Sequence, residues 1–276
     1  MPEGDTIFRA ARALNRALAG NAVVRFESVL PHLTRVHDDE PITGRTVTSV
    51  KSVGKHILME FTGGLLIRTH MRMNGSWHIY RPGERWQRAR GDMRVLVATA
   101  DFEAVGFTVP VAEFITARSI ERHQELRRLG PDLLGTTFDE RGALGRMRGQ
   151  GTRAIGEVLL NQSVMAGIGN VYKSEVLFMC RMHPFAATDS LEDEALLRLI
   201  ATSRRILLAN VHTTLSPMTT YTGFRQTTGR DSPQERLWVY GRAGRPCRQC
   251  GTPIAIDKRG PAARLTYWCP GCQGGR

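Results

Sequence analysis

The sequence predicts an α+β chain of several domains: one leading helix, a strand-rich segment, a helical segment and a terminal metal module. Three observations carry this. Apolar residues recur at helical spacing as Ile7, Ala10, Ala11, Leu14 and Leu18, and the pattern stops at Gly20. Between about 22 and 110 lie short runs rich in β-formers, separated by turn signals. From about 118 the 3.6-residue period returns, and four clustered cysteines close the chain.

The strand candidates are VVRFESV, RTVTSV, HILMEF, LLIRTHM, WHIY, MRVLVAT and FEAVGF, with FTGGLL as a hairpin turn. So many strands in so short a segment predict a β-sandwich or barrel rather than a doubly wound sheet. RPGERWQRARG (81–91) reads as a basic loop. The helical runs are SIERHQELRRLG, DERGALGRM, RAIGEVLLNQ, NVYKSEVLFMCRM and LEDEALLRLIATSRRILLANV. SPMTTYTGFRQTTGRDSP (216–233) is polar, with Gly and Pro, and reads as a loop or linker. The domains expected are 1–120, 121–233 and 234–276.

The 276 residues carry a formal net charge of +12, and the pI is about 10.2. Arginine greatly outnumbers lysine, and its planar fork suits bidentate phosphate contacts. Nucleic acid is therefore the leading partner, with an anionic membrane surface second. No run is long and apolar enough for a membrane span, and the first twenty residues lack a signal-peptide core. The expectation is a soluble, cytoplasmic monomer.

Cys247, Cys250, Cys269 and Cys272 form C-x2-C, eighteen residues, C-x2-C. Two such knuckles at this separation predict a four-cysteine zinc ribbon, whose closed thiolate set makes the metal structural. A cytosolic setting disfavours the disulfide alternative. PIAI and RLTYW read as hairpin strands, with DKRGPAA as the turn. Cys180, beside Phe178 and Met179, reads as a buried small hydrophobe.

IGEVLLNQSVMAGIGNVYKSEVLF is two helices joined by a turn of small residues. One reading is an ordinary helical hairpin. The other is a phosphate site, in which Gly167 and Gly169 bring backbone N–H groups close and Asn170 adds a donor. The opening MPEGDT also has two readings. It is helix punctuation, or the terminus is a reagent. Loss of Met1 would leave Pro2 with an α-amine of reference pKa about 7.7–8.0, against roughly 10.4 for lysine. A proline amine condenses with an aldehyde carbon to a permanently cationic iminium, a strong electron sink. Glu3 could move protons beside it, and Gly4 lets the chain bend.

Together these stretches resemble the formamidopyrimidine-DNA glycosylase and endonuclease VIII family. The resemblance is collinear over nearly the whole chain: PEG, SVGKH, HMRMNGSW, LRRLGPDLL, the GIGN stretch, VYGRAGRPCRQCGTPI and RLTYWCPGCQ. It implies an N-terminal β-sandwich carrying the first helix, then a helix–two-turn–helix domain with a zinc finger. Damaged DNA would lie in a basic cleft between them, with the lesion flipped out. It implies a bifunctional DNA glycosylase and abasic-site lyase of base-excision repair, nucleoid-associated through DNA.

By position, Pro2 would attack C1′ and Glu3 would move protons at the sugar; β- and then δ-elimination would follow. Lys55 would contact phosphate near the lesion and assist elimination. Arg264, five residues before Cys269, would clamp phosphate with Asn170 and serve δ-elimination. Arg128 matches a DNA-contacting arginine of the endonuclease VIII branch. Met73 matches a wedge that fills the gap left by the flipped base, the alternative being a core methionine. Arg72 falls at a DNA-contacting glutamine position.

PEG, HMRMNGSW and RLTYWCPGCQ resemble the endonuclease VIII branch. The other branch opens PELPE and carries an arginine-rich run where this chain has TVPVAEF (108–114). Oxidised pyrimidines are therefore expected over 8-oxoguanine. The alternatives are an oxidised-purine glycosylase and a non-catalytic binder of damaged DNA. Two stretches depart from the family. Thr6, with Asp5 before it, stands where a second glutamate is usual, and the loop 211–233 matches neither branch.

Overall fold

The computed structural model describes residues 2–212, 225–230, 232–259 and 264–274. The chain divides into two compact units, with the boundary between Arg127 and Arg128.

The first unit begins with α1 (Gly4–Leu18). Ile7, Ala11, Leu14 and Leu18 bury one stripe of it. Asn15 Oδ1 accepts the Val50 backbone N–H at 2.8 Å, pinning the helix to a strand. The elements that follow are β1 (Arg25–Ser28), α2 (Pro31–Asp39), β2 (Val47–Val53), β3 (His56–Phe61), β4 (Leu65–His70), β5 (Ser76–Tyr80), β6 (Met93–Ala98), β7 (Glu103–Phe107) and β8 (Val111–Thr116). The strands form two antiparallel sheets, ordered β2-β3-β4-β8 and β1-β6-β7-β5. Their facing sides share one core with α1: Ile57, Met59, Phe61 and Ile67 from one sheet, Trp77, Ile79, Val95 and Val97 from the other. This is the sandwich of the two predicted closures. The second sheet also buries its far face, where Trp86 of the 81–91 loop packs on Tyr80, Leu96, Val105 and Phe107. Burial on both faces explains why MRVLVAT shows no polar alternation.

Three elements depart from the sequence expectation. Helix α2 was not predicted; Leu33 is its one buried residue, too little to make a periodic signal. Strand β8 lies beyond the expected end of the strand segment. SIERHQELRRLG is not one helix. A 3-10 turn at Ala117–Arg122 opens with a reciprocal Thr116–Ser119 capping box. His123 is then extended, and the short α3 (Gln124–Arg127) follows.

In the second unit, α4 (Glu140–Arg148), α5 (Ile155–Leu160), α6 (Asn170–Met179) and α7 (Asp193–His212) enclose Leu159, Met165, Tyr172, Leu196, Ile200 and Leu207. The hairpin β9 (Ala255–Arg259) and β10 (Arg264–Trp268) precedes α8 (Pro270–Gln273). The cysteine-bearing segment packs on α6 through Phe178, Val239 and Ile254, inside the same unit as the helices.

Glu175 of α6 has no exposed surface. Its carboxylate accepts the backbone N–H groups of Trp238, Val239 and Tyr240 at 2.8, 2.9 and 2.8 Å, and the Thr227 hydroxyl. Burial pushes this carboxyl above its ordinary range, and the four donors pull it back. Among the described residues, no helix is long and apolar enough to cross a membrane.

Candidate functional site

Pro2 and Glu3 lie at the N-terminal end of α1, and both are buried. Glu3 is the N-cap, in extended backbone, and its carbonyl accepts the Ile7 N–H at 3.0 Å. The helix N-terminus favours negative charge and an unprotonated amine nearby. Met1 lies outside the described residues. Asp5 and Thr6 are buried on the first turn. Thr6 Oγ1 donates to Asp5 Oδ1 at 3.4 Å, and Arg9 Nη2 donates to Asp5 Oδ2 at 3.3 Å. The Asp5 carboxylate is thus engaged with its own helix.

Lys55 follows Gly54, whose φ of +57° makes the turn between β2 and β3, and is half-buried. The register sets His56 directly opposite His70, with ring centroids 4.8 Å apart. Burial, then the Arg72 and Lys55 charges, push His70 down to about 4. Burial, then His70 and Arg68, push His56 down to about 3. Both rings are therefore neutral near pH 7. His70 Nδ1 accepts the Arg72 N–H at 3.0 Å, which puts its proton on Nε2.

The turn after β4 distributes HMRM. Met71 is 2% exposed and belongs to the core, whereas Met73 is 50% exposed. The core-methionine alternative thus describes Met71 rather than Met73. Arg72 is exposed, in left-handed backbone with φ +48°.

Sequence reasoning missed the group between these turns. Arg68, 3% exposed, donates to Glu113 Oε1 at 2.5 Å, Glu125 Oε2 at 2.6 Å and His56 Nδ1 at 2.9 Å. His123 Nε2 lies 2.8 Å from the same Glu113 oxygen. Arg68 sat unmarked in LLIRTHM, and its partners come from β3, β8 and α3. The signal was one charge inside an apolar run.

In the second unit, two turns meet. Gly130 N–H donates to Gln162 O at 2.9 Å, and a Cβ at Gly130 would lie 2.4 Å from the Val164 carbonyl oxygen, so glycine is required. Ala166 N–H donates to Pro131 O at 2.9 Å. LRRLGPD and NQSVMAGIGN are thereby pressed together as the paired turns of a helix–two-turn–helix. Arg128 is exposed beside that joint. Gly167, with φ +114°, does not offer its N–H to a ligand, because that group donates to Gln162 Oε1 at 3.1 Å. The turn is built by a side chain that competes for the expected donor.

Asn170 opens α6 and is 6% exposed. Its Nδ2 donates to Leu265 O at 2.8 Å. Its buried Oδ1 has no hydrogen-bond partner among the described residues. Arg264 is exposed at the start of β10.

The four cysteine sulfurs lie within 4.8 Å of one another, with Cys247 to Cys272 at 3.8 Å and Cys250 to Cys269 at 3.4 Å. A tetrahedral zinc with Zn–S near 2.3 Å needs sulfurs about 3.8 Å apart, so the set fits. The Gln249 and Cys272 N–H groups donate to Cys247 and Cys269 Sγ, both at 3.4 Å, which suits thiolates. Cys180 stands apart, buried, with its thiol pushed up by burial.

Residues 1–110 match the formamidopyrimidine-DNA glycosylase N-terminal domain, and 129–222 the formamidopyrimidine-DNA glycosylase H2TH domain. The probable endonuclease 8 2 of Streptomyces coelicolor is 42% identical over 100% of this chain and 95% of its own length. The DNA-(apurinic or apyrimidinic site) lyase Nei2 of Mycolicibacterium smegmatis is 37% identical over 99% of each. In structure, Lactococcus lactis Fpg in a complex with abasic-site DNA matches with a TM-score of 0.82 at 24% identity, covering 99% of this chain and 100% of that one.

Proposed function

The chain belongs to the formamidopyrimidine-DNA glycosylase and endonuclease VIII family, on the endonuclease VIII side, and from that premise we propose that it is a DNA glycosylase and abasic-site lyase acting on oxidised pyrimidines. The observation that carries the reading is Pro2 and Glu3 set together at the N-terminal end of α1. A protein that only held damaged DNA would need neither.

Removal of Met1 frees the Pro2 amine. It attacks C1′ of the flipped nucleotide, and the base leaves with the C1′–N bonding pair and a proton. The sugar ring then opens: the C1′–O4′ bond breaks and its electrons stay on O4′, which takes a proton from Glu3. The nitrogen lone pair forms an iminium that carries no N–H and stays cationic. Loss of the C2′ proton then breaks the C3′–O3′ bond, and loss of the C4′ proton breaks the C5′–O5′ bond. Water hydrolyses the iminium, returns the amine and releases an unsaturated aldehyde. Glu3 moves protons at the sugar. Lys55 and the Nε2–H of neutral His70 bind phosphate close to the lesion, where a neutral donor and a cation together hold charge without a second ammonium. Asn170, Arg264 and Arg128 hold the DNA backbone from the second unit. Met73, exposed and apolar, fills the gap in the stack, with Arg72 beside it.

The pyrimidine preference is supported by the stretch 108–114, where Val109 is buried and no arginine is present. Cys247, Cys250, Cys269 and Cys272 would hold one structural zinc, which stabilises the fold of the hairpin carrying Arg264.

Borohydride trapping tests the reading on duplexes carrying thymine glycol, 5-hydroxyuracil, 8-oxoguanine or an abasic site. A covalent adduct on the abasic and oxidised-pyrimidine duplexes is expected. No adduct on any duplex overturns the enzyme reading, and a preference for 8-oxoguanine moves the chain to oxidised purines.

A further inference from the structure

Lys173 lies one turn after Asn170 on α6 and is 1% exposed. Its ammonium donates to Thr266 Oγ1 at 2.7 Å and to the Leu265 carbonyl at 3.3 Å. The same carbonyl accepts from Asn170 Nδ2 at 2.8 Å. One residue on, the Tyr267 N–H donates to Ser174 Oγ at 3.4 Å. Positions 170, 173 and 174 share one helix face. Three consecutive residues of β10 are therefore fastened to that face, and Arg264 is the residue immediately before them.

A strand advances about 3.3 Å per residue, so the backbone of Arg264 lies within one step of the clamp. Burying an ammonium is unfavourable unless its donors are used, and an apolar side chain would fill the same space more cheaply. The cation contributes what an apolar residue cannot: directed bonds that choose which β10 residue sits over Asn170.

We propose that Lys173 is a positioning residue that sets the register of β10 on α6 and so places Arg264 relative to Asn170. The inference rests on the reading of those two residues as phosphate contacts. Lys173 itself touches no reacting atom. Loosening it should weaken the grip on phosphate and slow δ-elimination more than Schiff-base formation at Pro2.

The test compares wild type, K173M, K173R and T266V on an abasic duplex, reading the ratio of β-only to β,δ ends. Affinity for a duplex carrying a tetrahydrofuran abasic analogue, which needs no chemistry, is read in parallel. K173M is expected to weaken affinity about tenfold, the loss of one charged hydrogen bond. It should also enrich β-only ends, while the fraction trapped at saturating DNA stays near wild type. K173R, which keeps the donors, should restore both, and T266V should fall between. In a cycle with R264A, the affinity losses should be non-additive. Wild-type end ratio and affinity in K173M, no rescue by K173R, or additivity with R264A each overturn the proposal. If K173M does not fold, T266V decides, and an unchanged affinity and end ratio overturn it. A wild type that binds the analogue but never traps sinks the lyase reading instead, and the affinity cycle still judges Lys173.

Discussion

The backbone N–H of Arg72 donates to Nδ1 of His70 at 3.0 Å, from a residue whose own φ is +48°. A non-glycine residue in left-handed backbone costs about 1–3 kcal/mol and persists where its surroundings demand it. Here the strained turn fixes the tautomer of the imidazole at the end of β4. It also turns the Arg72 and Met73 side chains outward.

Acid should destabilise the first unit through these rings. His70 and His56 are held at about 4 and about 3, below the ordinary histidine value of 6.5. The unfolded chain then binds protons that the folded chain refuses, so stability is complete above pH 6.5 and falls as pH drops through about 4. The expected loss is roughly 3 kcal/mol by pH 4, allowing for solvent screening. Glu125, held low by its hydrogen bond from Arg68, titrates in the same direction. The diagnostic is therefore the difference between wild type and H70Q in Tm from pH 7 to 4. An identical slope in H70Q refutes the assignment.

Blocking the terminus should separate folding from chemistry. A retained N-terminal tag leaves Pro2 as an amide, and trapping should disappear while the far-ultraviolet spectrum is unchanged. E3Q should slow base release by about a hundredfold or more, the usual worth of a positioned proton carrier. Full glycosylase activity in E3Q would remove Glu3 from the mechanism.

Arg68 and Glu125 should differ sharply in their substitution costs. R68A leaves Glu113 and Glu125 without the cation they share, for an expected loss of roughly 3 kcal/mol. The Glu125 side chain is 50% exposed, so E125Q should cost less than about 1 kcal/mol. Urea titration of both variants measures this, and equal losses would mean that the network is not centred on Arg68.

Metal analysis should find one zinc per chain. Chelation, or C269S, should unfold the hairpin and lower DNA affinity, while the fluorescence of Trp77 and Trp86 in the first unit is unchanged. Unaltered DNA binding after metal loss would detach Arg264 from that role.

Much of the site was legible because its signals are local. Two C-x2-C knuckles and a proline ahead of an amphipathic helix are statements about neighbours in the chain. HMRM was legible only in part. Sequence marked Met73 as either a wedge or a core residue, and the turn after β4 decided that Met71 enters the core while Met73 is exposed. Gly167 shows the reverse error, because a glycine suited to present an N–H spends that group on Gln162.

The sequence by itself determined the order of the strand-rich, helical and cysteine-bearing segments, the sandwich-or-barrel class and the four cysteines that the fold brings together. Spacing and residue chemistry survive without knowledge of the fold. Only the tertiary structure decided which charges are held inside. Arg68 meets Glu113 and Glu125 from 45 and 57 residues away. Lys173 reaches Thr266 across 93, and Glu175 collects the N–H groups of 238–240. A buried charge is tolerated only where partners converge on it. Convergence over such separations is a property of the packed chain, which no local pattern encodes.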